Sequence, residues 1–189
     1  VTEKAVRAVV LAAGSSSRTA PMQKLLVSFR GRPLVEYAID AASAWHPVVV
    51  AGPAVARALR HRTDCTVLAN EHPERGMSYS LKIADGAIER SASLLVFLGD
   101  KPLISRDVAQ RIAGDAAQVA FPVHGSRGMP GHPVLFDASV RPLIPCLPDG
   151  DTLHLLRDDP AFSHRHFQTI DDGVFFDVDE VTLLDAISR

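Results

Sequence analysis

Short runs of β-branched and aliphatic residues alternate along this chain with stretches in which apolar positions recur every three to four residues. The runs at 6–12, 46–51, 66–69, 93–98 and 118–122 show little polar alternation, the pattern of strands buried on both faces of a parallel sheet. Between them, residues 33–44, 54–62, 78–90 and 105–113 carry apolar side chains at helical spacing, with Pro or Ser at several starts. This alternation predicts right-handed βαβ units and a single open, doubly wound, mostly parallel sheet of the α/β class.

The rhythm changes after residue 122. Gly125, Gly128 and Gly131 punctuate two short extended pieces that end at 133–136, which predicts a small β-hairpin lying over the sheet. A helix over 138–144, a loop over 145–151 and a short helix over 152–158 follow. Extended pieces near 166–170 and 174–177 then lead to a terminal helix from about residue 180. No internal repeat, low-complexity tract or linker interrupts this order, so one domain over 1–189 is expected.

Composition narrows the partners. With 47% hydrophobic and 22% charged residues, the 189-residue chain has the balance of a globular domain rather than a disordered one. A formal net charge of -2 supplies no general attraction for nucleic acid or for an anionic membrane, so any anion site must be local. No apolar run approaches the roughly 20 residues that span a bilayer, and no signal-peptide order is seen; a cytoplasmic location is the expectation. Cys65 and Cys146 lie far apart without a CxxC spacing, which suggests neither a disulfide framework nor a zinc site.

Four constellations carry chemistry. In the first, Leu11-Ala12-Ala13-Gly14-Ser15 closes the first strand and is followed by Arg18 and Lys24. Small residues at a strand end let backbone N–H groups approach a polyphosphate, Gly14 can take the angles this needs, and the two bases supply charge. Neither GxGxxG nor GxxxxGK[ST] is present, and a plain glycine turn would also account for the segment taken alone. In the second, the apolar run 94–98 ends in Gly99-Asp100-Lys101-Pro102, delivering a carboxylate to the sheet edge where open α/β folds bind ligands. Asp100 there suits Mg²⁺, a hard cation held by one or two carboxylates plus phosphate oxygens, although Gly-Asp is also an ordinary turn.

The third constellation is Asp177-Val178-Asp179, whose carboxylates share one face if the segment is extended and would repel unless a cation sits beside them; Asp179 could equally cap the last helix. The fourth joins Gly76-Met77-Ser78-Tyr79-Ser80 with Gly131-His132-Pro133. A glycine before a helix start, with Ser80 close by, offers N–H donors to a base, ribose or phosphate, while Ser78 also serves as a cap. His132, constrained between Gly and Pro, can aim its ring at an acceptor, and a structural role fits an isolated histidine as well.

Taken in order, Leu-Ala-Ala-Gly-x-Ser-x-Arg with its following lysine, Gly76-Met77 with Ser80, Leu98-Gly99-Asp100-x-Pro102, Gly131-His132-Pro133 and Asp177-Val178-Asp179 resemble the molybdenum cofactor cytidylyltransferase family. That group lies within the MobA-like NTP transferases, and the resemblance extends from Val9 to about Leu184. It implies a Rossmann-like nucleotidyltransferase fold and Mg²⁺-dependent transfer of CMP from CTP to molybdenum-bearing molybdopterin, with release of pyrophosphate and contact with a molybdoenzyme. The implied catalytic residues are Arg18, Lys24 and Asp100. Leu11, Ala12, Ala13, Gly14, Ser15, Lys24, Gly76, Met77 and Ser80 would bind the nucleotide, Gly131 and His132 the acceptor, and Asp100, Asp177 and Asp179 the metal. Ala13 stands where the guanylyl-transferring branch resembles Leu-Ala-Gly-Gly, and its methyl would narrow the base pocket in favour of CTP over GTP or another NTP.

The chain departs from that pattern in places. Between Arg18 and Lys24 the family glycine is missing and one residue is added, and after Gly150-Asp151 the family's Gly-Ala-Arg is absent. The segment 80–86 replaces a shorter Ser-Leu-Arg-Ala-Gly, and no Thr-Pro-Glu-Asp follows the paired aspartates. Two alternatives therefore stay open: a sugar- or polyol-phosphate nucleotidyltransferase, and a non-catalytic carrier of the pterin cofactor.

Overall fold

A computed structural model describes residues 5–14, 23–125 and 128–176. The strands are β1 (Val6–Ala12), β2 (Ser28–Phe29), β3 (Arg32–Pro33), β4 (Val48–Ala51), β5 (Thr66–Ala69), β6 (Ser93–Leu98), β7 (Val119–His124), β8 (Val134–Phe136) and β9 (His164–Thr169). The helices are α1 (Leu34–Ala42), α2 (Pro53–Ala58), α3 (Gly76–Ala87), α4 (Arg106–Ala113) and α5 (His154–Arg157). Seven strands form one sheet in the order β5-β4-β1-β6-β8-β7-β9, with β2 and β3 as a separate two-stranded ribbon. Only β8 runs against its neighbours, pairing antiparallel with both β6 and β7.

Alternation along β1 divides the core. Ala8, Val10 and Ala12 face one side, with Leu34, Val35 and Ile39 of α1 and Ala109 and Ile112 of α4. Val9 and Leu11 face the other, with Leu81 and Ala84 of α3 and Leu156 of α5. Each such aliphatic side chain withdrawn from water contributes about 1.5–3 kcal/mol, which is why strands buried on both faces read as unbroken apolar runs.

The hairpin expected over the sheet lies inside it. β8 is inserted between β6 and β7, and its side chains are all buried, Leu135 in one core layer and Val134 and Phe136 in the other. The helix expected at 138–144 is a 3₁₀ segment at Arg141–Cys146, where Pro142 and Pro145 withhold the donors an α-helix needs. The strand expected from residue 46 starts at Val48, because His46 takes a left-handed conformation (φ 47°) that ends the preceding turn. The turn Arg30-Gly31 (φ 47° and 84°) that joins β2 to β3 had no counterpart among the predicted elements. Near 174–177 the chain forms a short 3₁₀ turn, Asp172–Val174, rather than a strand, and the terminal helix expected from residue 180 lies outside the described residues.

A buried arginine fixes α3. Arg141, 1% exposed, donates to Asp85 Oδ1 at 2.7 Å and to the carbonyls of Asp85, Ile88, Glu89 and Ala92, which closes the C-terminal end of the helix whose other end enters the cleft described next.

Candidate active site

Connections leave β1 toward β4 on one side, while β6 pairs with β1 on the other, so the strand order reverses at β1 and a crevice opens beyond the carboxyl ends of these two strands. Gly99 brings the two ends together: its N–H donates to the Leu11 carbonyl at 2.9 Å, and a Cβ there would lie 3.2 Å from that of Ala12. Asp100 is thereby set beside Gly14. The resulting cleft has a volume of about 400 Å³.

Most of the described residues expected to hold a nucleotide do line it: Leu11, Ala13, Gly14, Lys24, Gly76, Met77 and Ser80, together with Asp100, which was expected to act in catalysis and hold the metal. Ala12 does not, because the strand's alternation turns its methyl into the core. Ser15 and Arg18 lie outside the described residues, as do Asp177 and Asp179. In the cleft Lys24 Nζ donates to Asp100 Oδ2 at 2.9 Å, between two partly buried side chains. The Asp100 carboxylate thus already has a cation against it. Among the described residues no group of three His, Cys, Asp or Glu side chains could hold a metal.

The N-terminus of α3 departs from its expected use as an open set of donors. Met77 N donates to Asp151 Oδ1 at 3.2 Å and Ser78 N to the Gly150 carbonyl at 3.0 Å, while the Ser78 hydroxyl donates toward the carbonyls of Pro148 and Gly150 at 2.7 and 2.9 Å. Gly76 (φ 83°) is needed for this seal, since a Cβ would fall 2.5 Å from Gly150 Cα. Ser80 keeps an edge on the cleft and is oriented by the buried Asn70, whose Nδ2 donates to its Oγ at 3.0 Å. Asn70 and Glu74 escaped the sequence reading, and Asp151, noted there only beside the missing Gly-Ala-Arg, was given no role. The only signal for them was position, directly after a strand or in the loop facing a helix start.

A second cavity of about 220 Å³ adjoins the first, sharing Met77 and Asp151. His132 and Arg157 line it over an apolar floor that includes Val134 and Phe136. Burial, together with the nearby positive charges of Lys101 and Arg157, pushes the His132 imidazole down to about 3, so at neutral pH the ring is uncharged. Gly131 does not line this cavity. It allows close packing instead, since a Cβ there would come 2.8 Å from the Val174 carbonyl oxygen.

Comparison with known proteins places this geometry among nucleotide-handling folds. A profile of the MobA-like NTP transferase domain matches residues 8–164. Nicotine blue oxidoreductase from Paenarthrobacter nicotinovorans is 30% identical over 158 residues, covering 77% of this chain and 78% of that protein. A nucleotidyl transferase from Methanothermobacter superposes with a TM-score of 0.80 at 25% identity, over 98% of this chain and 97% of that one. Rv0371c of Mycobacterium tuberculosis, solved in complex with manganese, superposes with a TM-score of 0.77 at 23% identity over 97% and 100% of the two chains.

Proposed function

The chain belongs to the MobA-like NTP transferase domain family, and from that premise we propose that it transfers CMP from CTP to a phosphorylated acceptor, molybdopterin carrying molybdenum, with Mg²⁺ as the cofactor. The observation that carries this reading is the Lys24–Asp100 pair, 2.9 Å apart, at the mouth of a cleft built where the strand order reverses. A nucleoside triphosphate brings negative charge to the lysine, and the aspartate offers hard oxygen to the accompanying cation. The Lys24 ammonium against Asp100 supports a role for this carboxylate beside a cation, and in the proposal Asp177 or Asp179 would complete the set that holds the metal.

In the proposed reaction an acceptor phosphate oxygen forms a bond to the α-phosphorus while the bond from that phosphorus to the β-phosphate oxygen breaks, releasing pyrophosphate. No general base is needed, because the acceptor phosphate is already ionised. When bound, the metal would neutralise charge on the phosphates. Lys24 and Arg18 bind and orient the triphosphate, Ala13 narrows the space for the base, and the 148–151 loop closes the floor of the cleft. His132, being neutral, orients the acceptor through a single hydrogen bond, and Arg157 beside it supplies the positive charge for an acceptor anion.

The match to nicotine blue oxidoreductase favours a second reading, in which the same two cavities hold a reducing nucleotide cofactor and a heteroaromatic substrate. One experiment separates the two. The protein is incubated with each NTP, Mg²⁺ and molybdopterin or sugar-phosphate acceptors while pyrophosphate is measured, and in parallel with NADH or NADPH and a heteroaromatic dye while absorbance is followed. Pyrophosphate release greatest with CTP supports transfer. Oxidation of the nicotinamide without pyrophosphate would overturn it, and cofactor binding with neither signal indicates a carrier.

A further inference from the structure

Asn70 follows the last residue of β5 and is fully buried, its backbone N–H donating to the Ala51 carbonyl of β4 at 2.8 Å. The orientation of its side chain is fixed by a backbone group. The His72 N–H lies 2.8 Å from Oδ1 and can only donate, so the atom it meets is the amide oxygen and the other arm is the NH₂ group. That NH₂ group donates to Ser80 Oγ at 3.0 Å. A hydrogen-bond direction is thereby passed from the His72 backbone through Asn70 to the Ser80 hydroxyl.

Ser80 is only 3% exposed, and its open edge lies in the wall of the larger cleft. Among the described residues its side chain forms no hydrogen bond besides the one from Asn70, so its own hydrogen is left for a group inside the cleft. A hydroxyl fed in this way acts first as a donor. If a ligand presented an N–H at that point, Ser80 could accept it only by leaving its own hydrogen buried and unpaired, which costs far more than the contact returns.

Strand order determines which part of a nucleotide meets this hydroxyl. Asn70 leaves β5 and Asp100 leaves β6, three strand spacings apart in the order β5-β4-β1-β6, or about 14 Å. With phosphates at the Lys24–Asp100 pair, the nucleoside end extends toward Ser80. Cytosine carries a lone pair at ring N3, where uracil carries a hydrogen. We infer that Asn70 is a positioning residue for base selection: by fixing the Ser80 hydroxyl as a donor, it makes the cleft accept N3 of CTP and reject the N3–H of UTP. This rests on the choice of CTP proposed above.

Dissociation constants for CTP and UTP, measured by isothermal titration at one Mg²⁺ concentration, test the inference. The wild-type protein should prefer CTP by roughly 10- to 100-fold, the factor that follows from one buried polar group left unpaired. Ser80→Ala, a mild change within a helix, should remove most of that preference. Asn70→Leu frees the hydroxyl to turn and accept, so UTP should bind more tightly than it does to the wild-type protein while CTP gains nothing; general damage to the fold would weaken both. Where Asn70→Leu does not fold, Asn70→Asp replaces the amide donor with a carboxylate that accepts from Ser80 and, above neutral pH, carries the same expectation. An undiminished CTP preference in the Asn70 variant beside a lost one in Ser80→Ala overturns the role of Asn70, and an undiminished preference in Ser80→Ala overturns the whole inference. Equal affinity for CTP and UTP in wild-type protein that releases pyrophosphate from CTP overturns base selection by Ser80 and leaves the transfer reading standing. Failure of CTP to bind overturns both.

Discussion

Lys24 and Asp100 hold each other at 2.9 Å across the cleft, so a triphosphate entering with its cation must exchange that contact for two new ones. A charge-assisted hydrogen bond of this kind contributes about 1.5–3 kcal/mol, which corresponds to roughly 10- to 150-fold in affinity. Lys24→Met should therefore raise the dissociation constant for CTP by about that factor in isothermal titration, and Asp100→Asn should abolish pyrophosphate release. Turnover at the wild-type rate in Asp100→Asn with controlled Mg²⁺ would remove the proposed metal role. The sequence made both residues visible, Asp100 as a carboxylate just beyond an apolar strand and Lys24 as a base following the small-residue loop. It could not show that they meet, since their pairing depends on Gly99 drawing β6 against β1.

His132 yields a pH prediction at the same scale. Its pKa in the fold is about 3 against an ordinary 6.5, so the unfolded chain binds the extra proton first as the medium is acidified. The stabilising contribution is complete above about pH 6.5 and is lost as pH falls from there toward 3. At pH 4.5 the loss should reach up to about 2.7 kcal/mol, read as a lower urea midpoint. His132→Gln should flatten the part of the pH dependence between 6.5 and 4.5. An equally steep decline in that variant would assign the effect to other groups. The position of the histidine between glycine and proline was legible, but its depressed pKa was not, since that arises first from burial and then from the charges of Lys101 and Arg157, all of which depend on the fold.

At the scale of elements, α3 is held at both ends by groups distant in sequence. Its C-terminal end depends on Arg141, which answers the buried Asp85 and four backbone carbonyls. Arg141→Met removes one half of a buried ion pair and leaves those carbonyls without their donor, so a loss of about 3–5 kcal/mol in unfolding free energy is expected from chemical denaturation. Its N-terminal end depends on Gly76, where a Cβ would strike Gly150 Cα at 2.5 Å. Gly76→Ala should displace the 148–151 loop from the cleft floor, raising KM for CTP more than it lowers kcat. The helix itself was plain in the spacing of its apolar residues. The role of its opening glycine was not: a phosphate-binding glycine and a glycine needed for loop closure look alike until the loop is in place.

At the scale of the whole molecule, β1, β4, β5 and β6 form a parallel half whose edge carries the larger cleft, and β7, β8 and β9 form a half that carries the second cavity. The strands of the first half, and β7, were readable as apolar runs, whereas β8 and β9 were visible only as short extended pieces and the strand order was not visible at all. Inserting the antiparallel β8 between β6 and β7 joins the halves through contacts that no local pattern records. Because the two cavities share Met77 and Asp151, CTP bound in one should stabilise the sheet as a unit rather than one half alone. At 100 times its dissociation constant a ligand adds about 2.7 kcal/mol, and for a domain of this size each kcal/mol raises Tm by about 2–4 °C. CTP with Mg²⁺ should therefore raise a single cooperative melting transition by roughly 5–10 °C. The same concentration of GTP should raise it less if the Ala13 methyl narrows the base pocket, and Ala13→Gly should reduce the difference. Two separate transitions, with only the first moved by CTP, would mean that the halves fold independently and that the shared wall does not couple them.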